Sequence, residues 1–384
     1  MHRRAFLQAS AAGVAVIGAS ALSCAHAGAG DAGLAKTELD LPTLLSVTRT
    51  PGLAAQGIVR GRPFLHVAGV RETGKADVIV PATWFSAASL TKPVFAMAVR
   101  QLVRSGQLDW RKPLQAYMPL GLTGDAAAIT AEHVLSHGTG LVNWRFDPAV
   151  QLEVAFRPGS RWKYSGEGYV LLQRVVEKVV GIPLGRHLNT VLLPSLGMTS
   201  STFTWTPELA KNSVAGHDGE GRLLERSATY YARRGYELTE KAGSSADAMT
   251  YDQYIDAATK AKEFAMPVVV NPNAAGSLWT TIGDYFTFLE KSLADAAAHP
   301  EEYSARNRVN EQIAWTSSWG IDTSVGEPAW FHWGDGPGVK NFTWWQPASK
   351  TALVIFTNGD HGAPAYRVLM RRLLDADPVS PEWV

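Results

Sequence analysis

Three short segments of the sequence carry residue types that together could perform acyl transfer. Ser89 and Lys92 form an S-x-x-K element, Tyr164 opens a Y-S-G element and His332 opens an H-W-G element. Positions i and i+3 lie on one helix face, so the Lys92 amine can reach the Ser89 hydroxyl. A serine hydroxyl is a weak nucleophile without such a partner. Taken alone, however, S-x-x-K is more often a helix-capping serine followed by an exposed lysine.

A lysine that serves as a base must be neutral near pH 7. Its ordinary pKa is about 10.4, so burial or nearby positive charge has to lower the Lys92 pKa by about 3 units, which corresponds to ~4 kcal/mol. A charged Lys92 beside a Tyr164 anion has the same net charge as the neutral pair, and the two groups titrate together. From the sequence, either state could start the reaction.

The order and context of the three elements resemble the serine β-lactamase and penicillin-binding superfamily, specifically its class C-like branch. This branch contains class C β-lactamases, D-aminopeptidase, D-alanyl-D-alanine carboxypeptidases and β-lactamase-like carboxylesterases. The similarity runs over about residues 41–374, and S-x-x-K is a known element of such enzymes. Besides the three elements it includes the segments 129–141, 193–198, 275–281 and 357–359.

The resemblance implies acyl transfer through a covalent acyl-enzyme. In that scheme Ser89 attacks the substrate carbonyl, and Lys92 and Tyr164 take its proton and pass it to the leaving group. The backbone N–H groups of Ser89 and Asp335 would form the oxyanion hole, and water would release the acyl group. These are the predicted catalytic and oxyanion-hole residues.

Two positions depart from the family pattern. Gly166 stands where β-lactamases have an asparagine that contacts the substrate amide, and His332 stands where β-lactamases and transpeptidases have lysine. Histidine is mostly neutral at pH 7, which favours a neutral ester or amide over a lactam or a peptide C-terminus. We predict that His332, Trp333, Gly334 and Gly166 bind substrate. Glu167, a charged loop residue, is expected to be solvated or to cap a helix.

The elements that must position these residues follow from hydrophobic periodicity. Strands are predicted early and late in the chain and helices between them. The expected fold is α/β (α+β), with an antiparallel sheet flanked by helices and an inserted all-helical domain. Segments 38–105 and 275–384 would form the α/β domain and 106–274 the helical insertion. The polar stretch 199–239 is left unassigned. Individual expectations are strands at 55–59, 63–70, 329–332, 340–345 and 352–357 and helices at 89–105 and 248–264.

The N-terminus resembles a twin-arginine export signal over residues 1–27. Arg3 and Arg4 precede an apolar stretch rich in small residues, and Ala25-His26-Ala27 offers a cleavage site. The mature protein is therefore expected to be exported, to the periplasm or the medium. Cys24 is the chain's single cysteine, and lipid anchoring there is the alternative to simple cleavage.

The composition and motifs of the chain argue against several classes of function. The chain has 384 residues, 46% hydrophobic and 18% charged, with a formal net charge of +1. Neither nucleic acid binding nor stable membrane insertion is expected. His133 and His137 have metal-binding spacing, but no H-E-x-x-H motif is present, so we predict no metal and no cofactor.

We therefore predict a serine hydrolase that cleaves an ester or amide bond of a small molecule or peptide, as a β-lactamase-like carboxylesterase or a D-amino-acid peptidase/amidase. One alternative is a class C-like β-lactamase or D-alanyl-D-alanine carboxypeptidase. Another is a catalytically inert penicillin-recognising binding protein. The sequence leaves the oligomeric state open.

Overall fold

A computed structural model describes residues 40–263 and 270–383. The predicted export signal at 1–27, including Cys24, lies outside the described residues, so export stays a prediction. Within the described ranges, no helix is both long enough and apolar enough to cross a bilayer.

Most of the described strands belong to one antiparallel sheet. The strands are β1 (Gly52–Val59), β2 (Arg62–Gly69), β3 (Phe85–Ser86), β4 (Ser201–Thr202), β5 (Trp279–Thr280), β6 (Asn307–Arg308), β7 (Ile313–Trp315), β8 (Gly320–Asp322), β9 (Ala329–Gly336), β10 (Val339–Gln346) and β11 (Thr351–Thr357). The large sheet has the order β2-β1-β11-β10-β9-β8-β7-β6, and a small sheet has the order β3-β5-β4. Strands from both ends of the chain thus pair directly, through β1 and β11.

Helices supply the other layer of the fold. They are α1 (Leu41–Val47), α2 (Thr91–Arg104), α3 (Ala131–Leu135), α4 (Gly166–Val180), α5 (Leu184–His187), α6 (Leu193–Leu196), α7 (Pro207–Ala210), α8 (Ala228–Lys241), α9 (Tyr251–Lys260), α10 (Ile282–Ala298), α11 (Gly362–Leu374) and α12 (Ser380–Trp383). The predicted antiparallel sheet with flanking helices is confirmed. The domain boundaries at 105 and 275 stay a prediction.

Local sequence explains the first hairpin and the central strand of the sheet. Arg60 and Gly61 have φ values of 50° and 80°, the left-handed pair that matches strand twist in a two-residue hairpin. Every residue of β11 is buried, as its nearly continuous apolar run predicts for a strand covered on both faces.

The helix that carries the predicted nucleophile region is a core element. Residues 91–100 of α2 are all buried, which is typical of a helix enclosed on every side. Pro93 lies in its first turn, where a missing N–H costs no hydrogen bond. The helix predicted at 89–105 begins instead with a 3₁₀ turn at Ala88–Leu90 and continues as α2.

The unassigned polar stretch contains regular structure. It holds β4, α7 and most of α8, which packs against α9. The helix predicted at 248–264 is shorter, as α9, and begins at a capping box between Thr250 and Gln253. Most residues of α8 are polar and lie at the surface, so its short apolar face produces only a weak helical periodicity in the sequence.

Candidate active site

The small sheet places Ser89 at a sharp transition from strand to helix. Ala88 has a φ of 46°, a left-handed conformation that L-residues adopt at a cost and that concentrates at functional sites. The Ala87 N–H donates to the Leu278 carbonyl at 2.9 Å, and the Tyr285 hydroxyl donates to the Leu90 carbonyl at 3.0 Å. These contacts on either side fix the backbone that carries Ser89.

Lys92 lies one turn from Ser89 and is fully buried, with 0% of its surface exposed. Its Nζ is 2.9 Å from Ser89 Oγ and 2.9 Å from the carbonyl oxygen of Ala275. Burial lowers the pKa of Lys92 from 10.5 to about 7, because a charged amine loses its hydration there. A substantial fraction of Lys92 is therefore neutral near pH 7 and can accept the Ser89 proton.

Tyr164 completes the group. Its ring centroid lies 4.9 Å from Lys92 Nζ, and its half-buried side chain has an enclosed hydroxyl that makes no hydrogen bond with any described residue. Burial is the main cause that raises the pKa of Tyr164, and the negative charge of Asp335 raises it further. The Ser89 side chain acts in the opposite direction and lowers it. The raised pKa favours a protonated Tyr164 phenol at neutral pH. Catalytic hydrogen bonds often tighten only when substrate binds.

Strand β9 brings the H-W-G element against the nucleophile. A Cβ on Gly334 would lie 2.3 Å from the Ala87 carbonyl oxygen, so only glycine permits this approach. Trp333 is half-buried and its ring centroid is 5.1 Å from that of Tyr164. His332 is 0% exposed, and burial together with the Lys92 charge lowers its pKa to about 3. Of these three residues, Trp333 alone reaches the surface, and His332 contributes a neutral ring below it.

The predicted oxyanion-hole amides are free to donate. Gly336 and Val339 flank the two-residue turn between β9 and β10 and form the first hydrogen-bonded pair of the hairpin. Hydrogen-bonded and non-hydrogen-bonded pairs alternate in an antiparallel sheet, so the next pair, Asp335 and Lys340, is not hydrogen-bonded. The Asp335 N–H therefore faces away from β10, and β8 pairs with β9 only as far as Phe331. The Ser89 N–H has no acceptor among the described residues.

Gly166 and Glu167 are buried in the first turn of α4 and do not lie in a solvated loop. A Cβ on Gly166 would lie 2.3 Å from Cζ2 of Trp144, so the indole occupies the place of a side chain at this position. Glu167 is fully buried, and its Oε1 is 2.7 Å from Nε of Arg145. The expectation that Glu167 is solvated is wrong, because Arg145 supplies a partner that makes burial of the carboxylate tolerable.

The histidines with metal-binding spacing have other roles in the structure. His133 closes a capping box with Thr130 at the start of α3, and His137 contacts Tyr164. Among the described residues, one group brings three ligand-type atoms within 4.8 Å of one another, at His299, Glu301 and Glu302. Glu302 already pairs with Arg104 at 2.6 Å, so this group is poorly suited to hold a cation.

The structure brings Ser89, Lys92, Tyr164, Trp333 and the Asp335 amide together, and their catalytic and binding roles stay predictions. Sequence analysis missed the Ala275 carbonyl that binds Lys92, the Trp144 ring over Gly166 and the contact of His137 with Tyr164. Ala275 lies in the segment 275–281, which is part of the family resemblance. This resemblance was the one signal in the sequence that pointed to the contact with Lys92. The other two contacts depend on loop geometry.

The chain matches the β-lactamase family over residues 41–377. Among curated proteins, it is 29% identical to esterase EstB of Burkholderia gladioli in an alignment of 169 residues that covers 36% of this chain and 43% of EstB. It is 22% identical to protein flp of Staphylococcus aureus (strain N315) in an alignment of 191 residues that covers 44% of this chain and 38% of flp. The matched region spans less than half the length of these relatives.

Solved structures show the same fold. A class C β-lactamase superposes with a TM-score of 0.68 at 15% identity, covering 88% of this chain and 94% of that one. The D-alanine carboxypeptidase AmpC of Burkholderia cenocepacia gives 0.65 at 15% identity, covering 87% and 96%. The fold, the Ser89–Lys92 geometry and the match over most of its length lead to one conclusion: this chain belongs to the β-lactamase family of serine hydrolases.

Proposed function

We propose that this serine hydrolase is an esterase, which cleaves uncharged carboxylic esters through an acyl-enzyme on Ser89. The observation that carries the proposal is the 2.9 Å contact between Lys92 Nζ and Ser89 Oγ, combined with a Lys92 pKa of about 7. A general base works best when its pKa is close to the working pH.

The catalytic cycle uses groups that are already in place. Neutral Lys92 takes the Ser89 proton as Oγ attacks the ester carbonyl, and the Ser89 and Asp335 amides stabilise the oxyanion. The protonated Tyr164 phenol gives its proton to the leaving alkoxide and recovers one from Lys92. Water then attacks the acyl-enzyme by the same proton path in reverse, releasing the acid and restoring Ser89.

The charges around the cleft support an uncharged acyl group. His332 is neutral, and Lys340 is held by Asp335 at 2.5 Å and by Asp360 at 3.5 Å, leaving one negative charge in excess. The Asp335 side chain is 60% exposed and lies on the same face of β9 as Trp333, since side chains alternate along a strand. A substrate carboxylate would meet this negative charge without a dedicated cation.

The Trp144 ring supports an ester over a lactam. Class C-like β-lactamases use an asparagine at the position of Gly166 to contact the substrate amide, and here Trp144 fills that space with an apolar surface. An ester lacks the amide N–H and loses nothing by this exchange. The name of the relative EstB agrees with this proposal.

A D-aminoacyl amide is the second candidate, and Asp335 is the observation that favours it. An exposed carboxylate on the Trp333 face of β9 could bind the ammonium group of such a substrate. Replacement of Asp335 by asparagine separates the candidates, because it should lower turnover of a D-alanyl anilide and leave a neutral ester unaffected.

The test compares p-nitrophenyl butyrate, D-alanine p-nitroanilide and a chromogenic cephalosporin on the full-length protein. We expect ester turnover to exceed cephalosporin turnover by at least ~10²-fold, because the cephalosporin amide would meet the Trp144 ring without a hydrogen-bond partner. The Ser89→Ala variant is the control for background hydrolysis. Cephalosporin turnover above ester turnover would overthrow the proposal.

A further inference from the structure

His137 contacts Tyr164 and both of its neighbours in the chain. The N–H of Lys163 donates to the His137 carbonyl at 2.8 Å, and the N–H of Ser165 donates to His137 Nδ1 at 3.1 Å. Between these two amides, the imidazole lies against the phenol with 4.1 Å between ring centroids. His137 therefore holds the N–H groups of both residues next to Tyr164, Lys163 and Ser165, and also one face of the Tyr164 ring.

The backbone of His137 is strained, which indicates that its side chain is needed there. Its φ is 53°, a left-handed conformation that is strained for an L-residue and free of strain for a glycine. His137 lies just after the end of α3, where glycine is the usual residue because it adopts this conformation without strain. The contacts to Ser165 and Tyr164 offset the strain.

The hydrogen bond from Ser165 also fixes the form of the ring. Because Nδ1 accepts an N–H, it carries no proton, and the neutral ring bears its proton on Nε2. Nε2 is buried and has no partner among the described residues. The titratable groups that face this ring are Lys92, His332, Tyr164 and Tyr169. Burial, and after it the nearby Lys92 amine, keeps the pKa of His137 well below its ordinary value.

We infer that His137 is a positioning residue that sets the orientation of the Tyr164 phenol toward Ser89 and Lys92. The inference rests on the proposed acyl-enzyme function for its kinetic readout. It assigns no bond-making step to His137, which acts through Tyr164 alone.

The experiment compares His137→Ala with His137→Asn in the full-length protein, using p-nitrophenyl butyrate. Asparagine tolerates the left-handed backbone and offers an amide oxygen to Ser165. We expect His137→Ala to lower kcat by about 10²-fold, as for a misplaced acid–base group, with KM changed less than about threefold. His137→Asn should recover about tenfold or more of that loss, since it restores the hydrogen bond.

A double-mutant cycle with Tyr164→Phe separates positioning from a general structural role. If His137 acts through Tyr164, then His137→Ala should cost less than about threefold in the Tyr164→Phe background. An equal loss in both backgrounds would overturn the inference, and so would His137→Asn being no better than His137→Ala. His133→Asn, four residues earlier at a helix cap, is the matched control and should keep kcat within about threefold.

The rate at which a fluorophosphonate labels Ser89 is measured in the same variants. This rate reports nucleophile activation without depending on substrate choice. If the wild type labels rapidly but hydrolyses no ester, the proposed substrate is wrong, and the cycle is then evaluated from labelling rates. Labelling that is slower in His137→Ala than in Tyr164→Phe would overturn the inference, because His137 would then act on Ser89 by a route other than Tyr164.

Discussion

Replacing Lys92 by methionine should stabilise the protein while inactivating it. The wild-type chain buries this amine completely, and burial lowers its pKa from 10.5 to about 7. A shift of that size corresponds to about 5 kcal/mol of unfavourable free energy when the amine is charged. Methionine has a similar length and no charge. It leaves the Ala275 carbonyl without its partner, which costs about 1–3 kcal/mol, so the net gain below pH 7 is about 2–4 kcal/mol.

The pH dependence follows from where the proton is bound. Between pH 7 and 10.5, Lys92 is charged in the unfolded chain and neutral in the folded one, so the unfolded state binds more protons. Wild-type stability therefore rises with pH across this window. Below pH 7 the full cost of burial remains. The advantage of the methionine variant should thus shrink by about 4 kcal/mol between pH 6 and pH 10.

Urea unfolding followed by circular dichroism at pH 6, 8 and 10 measures this difference. Lys178→Met is the matched control, because Lys178 is exposed on α4 and its charge stays in water; its stability difference should be nearly constant with pH. A Lys92→Met difference that changes by less than about 1 kcal/mol between pH 6 and 10 would refute the reasoning, since Lys92 would then keep an ordinary pKa.

Three further outcomes are expected from the active-site geometry. The ester kcat/KM should rise through pH 6–8 with a midpoint near 7, the Lys92 pKa, since only the neutral amine accepts a proton; a flat profile from pH 6 to 9 would contradict this. In steady-state assays, Ser89→Ala and Lys92→Ala should each lose on the order of 10⁴-fold or more, and Tyr164→Phe about 10²–10⁴-fold; wild-type rates in any variant would refute that residue's role. Gly334→Ala places a Cβ 2.3 Å from the Ala87 carbonyl oxygen, so kcat should fall about 10²–10³-fold through displacement of the oxyanion-hole strand; full activity would show that β9 can move without loss.

The features predicted correctly from the sequence are those that depend on residues close together in the chain. The i, i+3 spacing placed Lys92 against Ser89, and the apolar run 352–357 identified the buried strand β11. Helical periodicity also predicted α2, although the 3₁₀ turn at Ala88–Leu90 requires a left-handed Ala88 that no periodicity reveals. These features depend on residues within one or two turns of each other.

Contacts between distant segments could not be predicted in the same way. Lys92 binds the carbonyl of Ala275, 183 residues away, and the 2.9 Å contact exists only because the chain returns to the nucleophile. Glu167 was expected to be solvated, yet Arg145 from a preceding loop pairs with it and both are largely buried. Burial of a charge depends on its partner, and the identity of that partner is a tertiary fact.

The most direct test of the acyl-enzyme claim is mass spectrometry of the full-length protein after reaction with a fluorophosphonate. We expect one adduct per chain, on the peptide that contains Ser89, absent in Ser89→Ala and formed much more slowly in Lys92→Ala. A folded wild-type protein with no adduct on Ser89, or with its adduct on another serine, would contradict the account.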